Sequence, residues 1–467
     1  MGKTRKSVRI VIVGAGASGI AAATRLLEKG FRNVLLLEAE SRVGGRIQTL
    51  PFADNVVDLG AQWCHGEQDN AVYSLVKNTN LTDGTGNYFK DVKNIRSDKE
   101  IVNDEEASAL KRFLTNSLPK ETEEYKGSVG QCLAENYCRG ADQLKDPKLA
   151  QEILECFKRS QSSLVGSDNL DEVSGRTHLE YKPCDGDQLI HWHDKGFYRF
   201  LQLLMKADPE NINDLGVIGE RLLLNKKINK INWEPSVDEI RVHTTNEETF
   251  LADYVICTMS LGVLKYCHKD LFHPPLPCSK LQAIQGLKLG TVDKIYLEFL
   301  SLPDSFIGFY SLWLEEDLQE LRQSKRFWLE GISGCHRVLN QPRILQIWIG
   351  GEHGRYMETL QEAEILEALQ WLFQKFLSFD IPHPQRIVRT QWHSNTNFRG
   401  SYSFRTTFAD QLATGPWDLE EPLSGLDGNL KVLFAGEATS RNHYSTVHGA
   451  IEAGWREANR LNDLYLD

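Results

Sequence analysis

Nowhere does this chain stay apolar for the ~18 residues that a membrane-spanning helix needs, so no bilayer-crossing segment is expected. It also lacks a positive surplus: 53 Lys and Arg stand against 64 Asp and Glu, a net charge of -11. A surface of that sign suits a cationic small molecule and not a nucleic acid, whose phosphates have to be neutralised by Lys and Arg. The nine cysteines are scattered and form no C-x-x-C pair. That pattern excludes both a zinc motif and a disulfide framework, and it implies a reducing compartment. No fixed-period repeat, low-complexity tract or block of like charge occurs, no signal peptide precedes the first apolar strand, and the last residues are not an S-K-L type address. The expectation is a cytoplasmic, non-membrane protein, taken as a monomer.

What is present is a globular composition, 41% hydrophobic and 25% charged, over 467 residues. That length exceeds the roughly 250–300 residues at which one core stops growing, so two domains are expected. Val8 to Val13 reads as a buried parallel strand, Gly14 to Gly19 as a turn into a helix closed by Gly30, and Asn33 to Leu37 as a second strand ending on Glu38. Residues from about Glu105 to Gly166 have helical spacing. Short strands are expected from Val217 to Met259, and a mainly antiparallel sheet from Lys288 to Ile349. The end returns to a buried strand, Lys431 to Ala435, and a helix from His448 to Leu461 rich in small residues. The fold class is therefore α/β: a discontinuous Rossmann-type domain (1–76, 184–265 and 422–467) and an α+β substrate domain (77–183 and 266–421).

Gly14-Ala15-Gly16-Ala17-Ser18-Gly19 is a G-x-G-x-x-G turn that follows a strand, opens a helix and is answered by an acid, Glu38, at the end of the next strand. Gly14 permits the tight turn and Gly16 lets a pyrophosphate approach the backbone. Gly19 packs helix on strand, and the helix start at Ala17 and Ser18 offers N–H groups and a positive dipole end. Glu38 accepts from ribose hydroxyls and disfavours a 2'-phosphate, which selects a ligand of the FAD or NAD type. Gly44-Gly45-Arg46 then supplies a second phosphate-contacting stretch that NAD dehydrogenases do not need.

With this stretch, the chain resembles the flavin amine oxidase family. The resemblance extends through Gly60-Ala61-Gln62-Trp63-Cys64-His65-Gly66, the strand containing Lys294, Arg399-Gly400-Ser401-Tyr402-Ser403, Phe434-Ala435-Gly436-Glu437-Ala438-Thr439 and Val447-His448-Gly449-Ala450. It runs from residue 8 to about 457 and is most similar to the animal polyamine oxidases, which act on spermine or N1-acetylated polyamines. It implies noncovalent FAD, because the loop Gly400 to Ser403 has no cysteine where the monoamine oxidases attach theirs. The implied reaction moves a hydride from the carbon beside an amine nitrogen to flavin. The resulting imine is hydrolysed to an aminoaldehyde and a shorter polyamine, and O2 is reduced to H2O2.

By the same resemblance, Lys294 holds a water near the flavin and assists proton movement, while His65 hydrogen-bonds an inner substrate nitrogen. Glu155 meets a distal ammonium, Tyr402 forms one wall beside the reacting amine, and Ser445 and Thr446 contact substrate by hydroxyl. For the cofactor it adds Ala39, Gly45 and Arg46 at the ribose and pyrophosphate, and Gly60, Ala61, Gln62 and Trp63 along the flavin. Ile228 lies near adenine, Trp392 beside the ring, Gly436 and Glu437 near the ribityl chain, and Thr446 and Val447 under the ring.

Read from the residues alone, Lys294 also suits an edge strand paired with its neighbour Asp293, and Glu155 a solvated helix face. Cys64 and Met259-Ser260 depart from the family pattern, the first bearing on substrate choice. His191 and His193 share a strand face, but no third ligand is identifiable, so no metal is expected. Two other readings share the motifs: a histone-lysine demethylase-like amine oxidase, and a non-catalytic FAD and polyamine binder.

Overall fold

The computed structural model describes residues 3–84, 89, 91–120, 124–141, 144–193 and 195–465. Strand β1 (Arg9–Val13) is buried at its last four positions. Helix α1 (Ala17–Glu28) follows, and the chain turns at Gly30 (φ 90°) into strand β2 (Asn33–Leu37). β1 pairs in parallel with β2 on one edge and with Tyr254–Cys257 on the other. A strand bonded along both edges and covered on both faces has no polar side, which explains its unbroken apolar run. The six-stranded sheet runs Leu423–Ser424, Leu430–Phe434, Tyr254–Cys257, β1, β2, Leu222–Leu223. Its pairs are parallel except the first. Three separated stretches of chain therefore build one Rossmann-type sheet, as the α/β reading expects.

The helical stretch is three helices: Asp104–Asn116, Val129–Gly140 and α2 (Pro147–Val165), started by the side chains of Asn103, Ser128 and Asp146 accepting from first-turn N–H groups. α2 buries Leu149, Ile153, Leu154 and Phe157 and ends at Gly166 (φ 74°). The second sheet runs Arg386–Arg389, β3 (Val292–Glu298), β4 (Gln341–Gly350), Ile332–Val338, Gly308–Leu312, Lys93–Arg96. It is antiparallel except for the last strand, which joins in parallel from ahead of the helical stretch. All seven residues of β3 are buried. Ile295 and Leu297 enter a core with the helix Glu362–Phe376, while Tyr296, and with it Lys294 by strand alternation, faces the opposite way toward Leu59 and Trp392.

The terminal helix α3 (Val447–Asp463) crosses α1 at backbone contact: a Cβ on Gly454 would collide with Ser18 O. The small residues of both helices are what allow this approach. Among the described residues, no helix is long and apolar enough to cross a membrane.

Candidate active site

One cavity of about 1020 Å³ runs from the start of α1 to the wall between β3, β4 and the end of α2. At its nucleotide end, Gly14 turns at φ 105° beside Thr258, and Gly16 faces the turn Gly44-Gly45, with Gly45 close enough that a Cβ on it would lie 3.2 Å from the Gly16 Cα. The N-cap of α1 is Gly16, so no side chain satisfies the first N–H groups, and the buried Ser18 hydroxyl has no partner. Open N–H groups, an unpartnered buried hydroxyl and a glycine-lined cradle that a Cβ on Gly45 would crowd fit a pyrophosphate. Glu38 closes it, its carboxylate accepting from Ala15 N at 2.7 Å and Glu40 N at 2.8 Å. Burial pushes the Glu38 carboxyl above its ordinary value. These residues fit FAD.

Every cofactor residue expected from the sequence lines this cavity except Gly19. Gly19 lies beneath, where a Cβ would strike Gly14 O. Arg46 donates to Ser401 O and Glu437 Oε1, each at 2.8 Å, and the other Glu437 oxygen accepts from Ser403 Oγ at 2.6 Å and Ser445 N at 2.8 Å.

Lys294 is neither on an edge nor paired with Asp293. β3 is bonded on both sides, and Asp293 points to the other face, where it accepts from Thr390 Oγ1. The Lys294 ammonium donates to Asp58 O (2.8 Å), Gly60 O (2.7 Å) and Gln62 Oε1 (2.9 Å) and sits 4.6 Å from the centre of the Trp348 ring. Burial lowers its pKa to about 7, against the opposing pull of Asp58, whose own carboxyl burial pushes up to about 6. Lys294 thus exchanges its proton near neutrality. The His65 Nδ1 lies 2.6 Å from the Gln188 carbonyl oxygen, which only accepts. Nδ1 therefore carries the proton, and Nε2 is left as an acceptor. Burial lowers the pKa of His65 and favours this neutral form.

Tyr402 lines the cavity with its hydroxyl donated to Ser163 O at the end of α2. Ser445 and Thr446 line it too, but their hydroxyls are committed: Ser445 Oγ donates to Ser403 O, while Thr446 Oγ1 donates to His443 O and accepts from Gly449 N as the cap of α3. Helix capping and the turn geometry at Ser445 (φ 68°) take the groups that were expected to reach substrate. Glu155 is not brought to the cavity. It lies part-exposed on α2, paired with Lys158 at 2.9 Å, between about one and two and a half turns before the lining residues Ser160 and Ser163.

Sequence reasoning missed an aromatic wall. Trp348 stacks on Trp63 at 5.7 Å between centroids, Phe89 meets Trp63 (6.5 Å) and His336 (5.1 Å), and His336 meets Tyr310 (5.3 Å). Burial pushes the His336 imidazole down to about 4, so it is neutral. Gln346, which donates to Gln62 Oε1 at 2.7 Å and Tyr296 Oη at 2.9 Å, was missed as well. The signal was the alternation of Gln346 and Trp348 on one strand, but only the register, with Lys294 opposite Trp348 and Tyr296 opposite Gln346, gives it meaning.

The chain belongs to the family of flavin containing amine oxidoreductases, whose pattern matches residues 17–462. It is an FAD-dependent amine oxidase. It is 30% identical to Protein anon-37Cs of Drosophila melanogaster (99% of this chain, 92% of that one) and 27% identical to Probable polyamine oxidase 5 of Arabidopsis thaliana (98% and 99%). To the human Peroxisomal N(1)-acetyl-spermine/spermidine oxidase it is 28% identical (100% and 97%). A solved putrescine oxidase double mutant, redesigned in its cofactor binding, shares the fold with a TM-score of 0.65 at 17% identity, over 97% of this chain and 98% of that one.

Proposed function

We propose that this enzyme oxidises a polyamine at a carbon beside an inner nitrogen, with an N1-acetylated polyamine preferred and dioxygen as the final acceptor. One observation carries the preference. Among the described residues, the only acids lining the cavity are Glu38 and Glu437, both tied to the cofactor half; the charged side chains elsewhere in the lining are the cations Arg46, Lys226, Lys227 and Lys294, so the wall around Trp63, Trp348, Phe89 and Tyr402 offers an ammonium no counter-charge. A desolvated ammonium without a counter-charge is costly, so each charge that acetylation removes favours entry. Lys111 Nζ, 4.0 Å from the centre of the Tyr310 ring, engages that ring electrostatically from outside the lining and weakens its attraction for a second cation. Full-length relatives with polyamine names support the substrate class.

FAD, bound noncovalently along residues Gly14 to Ser18, Glu38, Arg46 and Val447, supplies the hydride acceptor. The reacting nitrogen has to be neutral, which costs roughly 4–5 kcal/mol at pH 7 for an amine of pKa ~10.4, and an apolar enclosure lowers that cost. Trp63, Trp348, Phe89 and Tyr402 exclude water from it, and His65 Nε2 accepts the N–H of the neutral amine and orients it. Lys294, poised near pH 7, holds or passes a proton at Nζ during imine hydrolysis. On this reading, residues 1–76, 184–265 and 422–467 carry the nucleotide, and 77–183 with 266–421 supply most of the amine wall.

The test is anaerobic mixing of the yellow protein with spermine, spermidine, N1-acetylspermine and a monoamine, following flavin absorbance. N1-acetylspermine is expected to bleach fastest. Bleaching by spermine alone would overturn the acetyl preference, and bleaching by no polyamine would overturn the substrate class.

A further inference from the structure

Residues from two distant parts of the chain meet behind the His65 side of the cavity: Cys184, buried before the turn that carries Gln188, and the neighbouring His443 and His448, the latter buried in the first turn of α3. One ring nitrogen of each histidine and the Cys184 Sγ all lie within 4.8 Å of one another, and Cys184 Sγ is 3.8 Å from His448 Nε2. The two imidazoles meet at 4.9 Å between centroids and 62°. Bond lengths of ~2.3 Å to sulfur and ~2.0 Å to nitrogen put tetrahedral ligand atoms roughly 3.5 Å apart, so the set has to close by about 1.3 Å at its widest. Glu452 Oε2 lies 2.7 Å from His443 Nδ1. A carboxylate behind a ligating histidine orients the ring and raises its basicity, as metal centres use it.

We propose that Cys184, His443 and His448 form a zinc site that clamps the wall holding His65. Two imidazoles and one thiolate are the donors a borderline-soft cation selects, and three protein ligands leave the fourth position to solvent. Binding exchanges the thiol proton of Cys184 for the cation and releases that proton. The cost falls on His448. Asn70 Nδ2 stands 3.5 Å from its Nδ1, and a cation on Nε2 leaves that nitrogen protonated against a donor. Asn70 keeps its shorter bonds to His65 O (2.8 Å), Val72 N (2.8 Å) and Tyr73 N (3.1 Å), so only its weakest contact is lost. The site joins two segments that position the cavity wall. The Cys184 carbonyl accepts from Gln188 Nε2 at 2.7 Å, the Gln188 carbonyl holds His65, and Thr446, two residues before His448, lines the cavity.

The inference is independent of the substrate reading and is tested on the FAD-loaded protein without turnover. Chelator-treated holoenzyme is dialysed against zinc chloride and assayed for metal by elemental analysis and for thermal stability. One zinc per chain is expected, with a higher Tm. Cys184→Ser and His443→Gln are each expected to weaken binding at least ~10-fold and to abolish the Tm shift, and the double variant His191→Gln, His193→Gln should behave as wild type. Retained flavin absorbance certifies folding. If Cys184→Ser loses its flavin, His443→Gln, whose side chain is not fully buried, decides the matter. Wild-type protein that takes up no stoichiometric zinc, or variants that keep it, would overturn the site.

Discussion

Replacing Lys294 by methionine keeps an unbranched side chain against Trp348 while removing a buried amine that makes three hydrogen bonds to Asp58 O, Gly60 O and Gln62 Oε1. The folded-state pKa of this lysine is about 7, below the ordinary 10.5. Below pH 7 both folded and unfolded chains carry the proton, and the folded state bears the whole cost of burying the charge. Between pH 7 and 10.5 only the unfolded chain binds it, so wild-type stability rises with pH by ~1.4 kcal/mol per unit from this group. Methionine does not titrate. The difference in unfolding free energy between wild type and Lys294→Met should therefore shift toward the wild type by about 2–3 kcal/mol between pH 7.5 and 9.5, a window above the Asp58 transition at about 6. Guanidinium unfolding at both pH values measures it. Loss of a positioned proton carrier is also expected to slow amine turnover ~10²–10⁴-fold and to flatten the limb of the pH profile near 7, read by stopped-flow of flavin reduction and reoxidation separately. Both half-reactions within about twofold of wild type, with an unchanged pH profile, would refute the catalytic argument. A stability difference that does not move with pH would refute the buried-lysine argument.

Three further outcomes are expected. Gly19→Ala drives a Cβ into Gly14 O at the strand–helix contact, so the purified protein should lose most of its 450 nm flavin absorbance, at least ~10-fold per chain. Gly166→Ala places a Cβ against the Tyr402 ring at a φ of 74°, and it should lower kcat/KM about 10-fold while flavin content is retained, which separates it from a folding defect. Glu155→Gln removes only a part-exposed pair with Lys158, so KM for spermine should stay within ~2-fold; a larger rise would return Glu155 to the substrate path.

Much of the cofactor half was legible from the residues because a dinucleotide site is built from local backbone geometry. A glycine at positive φ, a helix start without a side-chain cap and an acid ending the next strand all occur within the first 38 residues, and Gly14, Gly16, Ser18 and Glu38 line one cavity. The amine half was legible only as positions. Tyr402 and His65 do reach the wall, but Glu155 turns away, and the hydroxyls of Ser445 and Thr446 go to backbone because a turn and a helix cap need them.

The sequence by itself determined the opening strand–turn–helix–strand unit, the glycine turn and acid that offer a place for a pyrophosphate, and that the chain has no long apolar span, since each follows from residues close together in the chain. Only the tertiary structure decided that Lys294 lies inside and titrates near neutrality. It alone set Trp348 and Gln346 opposite β3 and drew Cys184, His443 and His448 together across 264 positions. Desolvation and cross-strand register are properties of what surrounds a residue, and for these residues the surroundings come from parts of the chain that no local pattern connects.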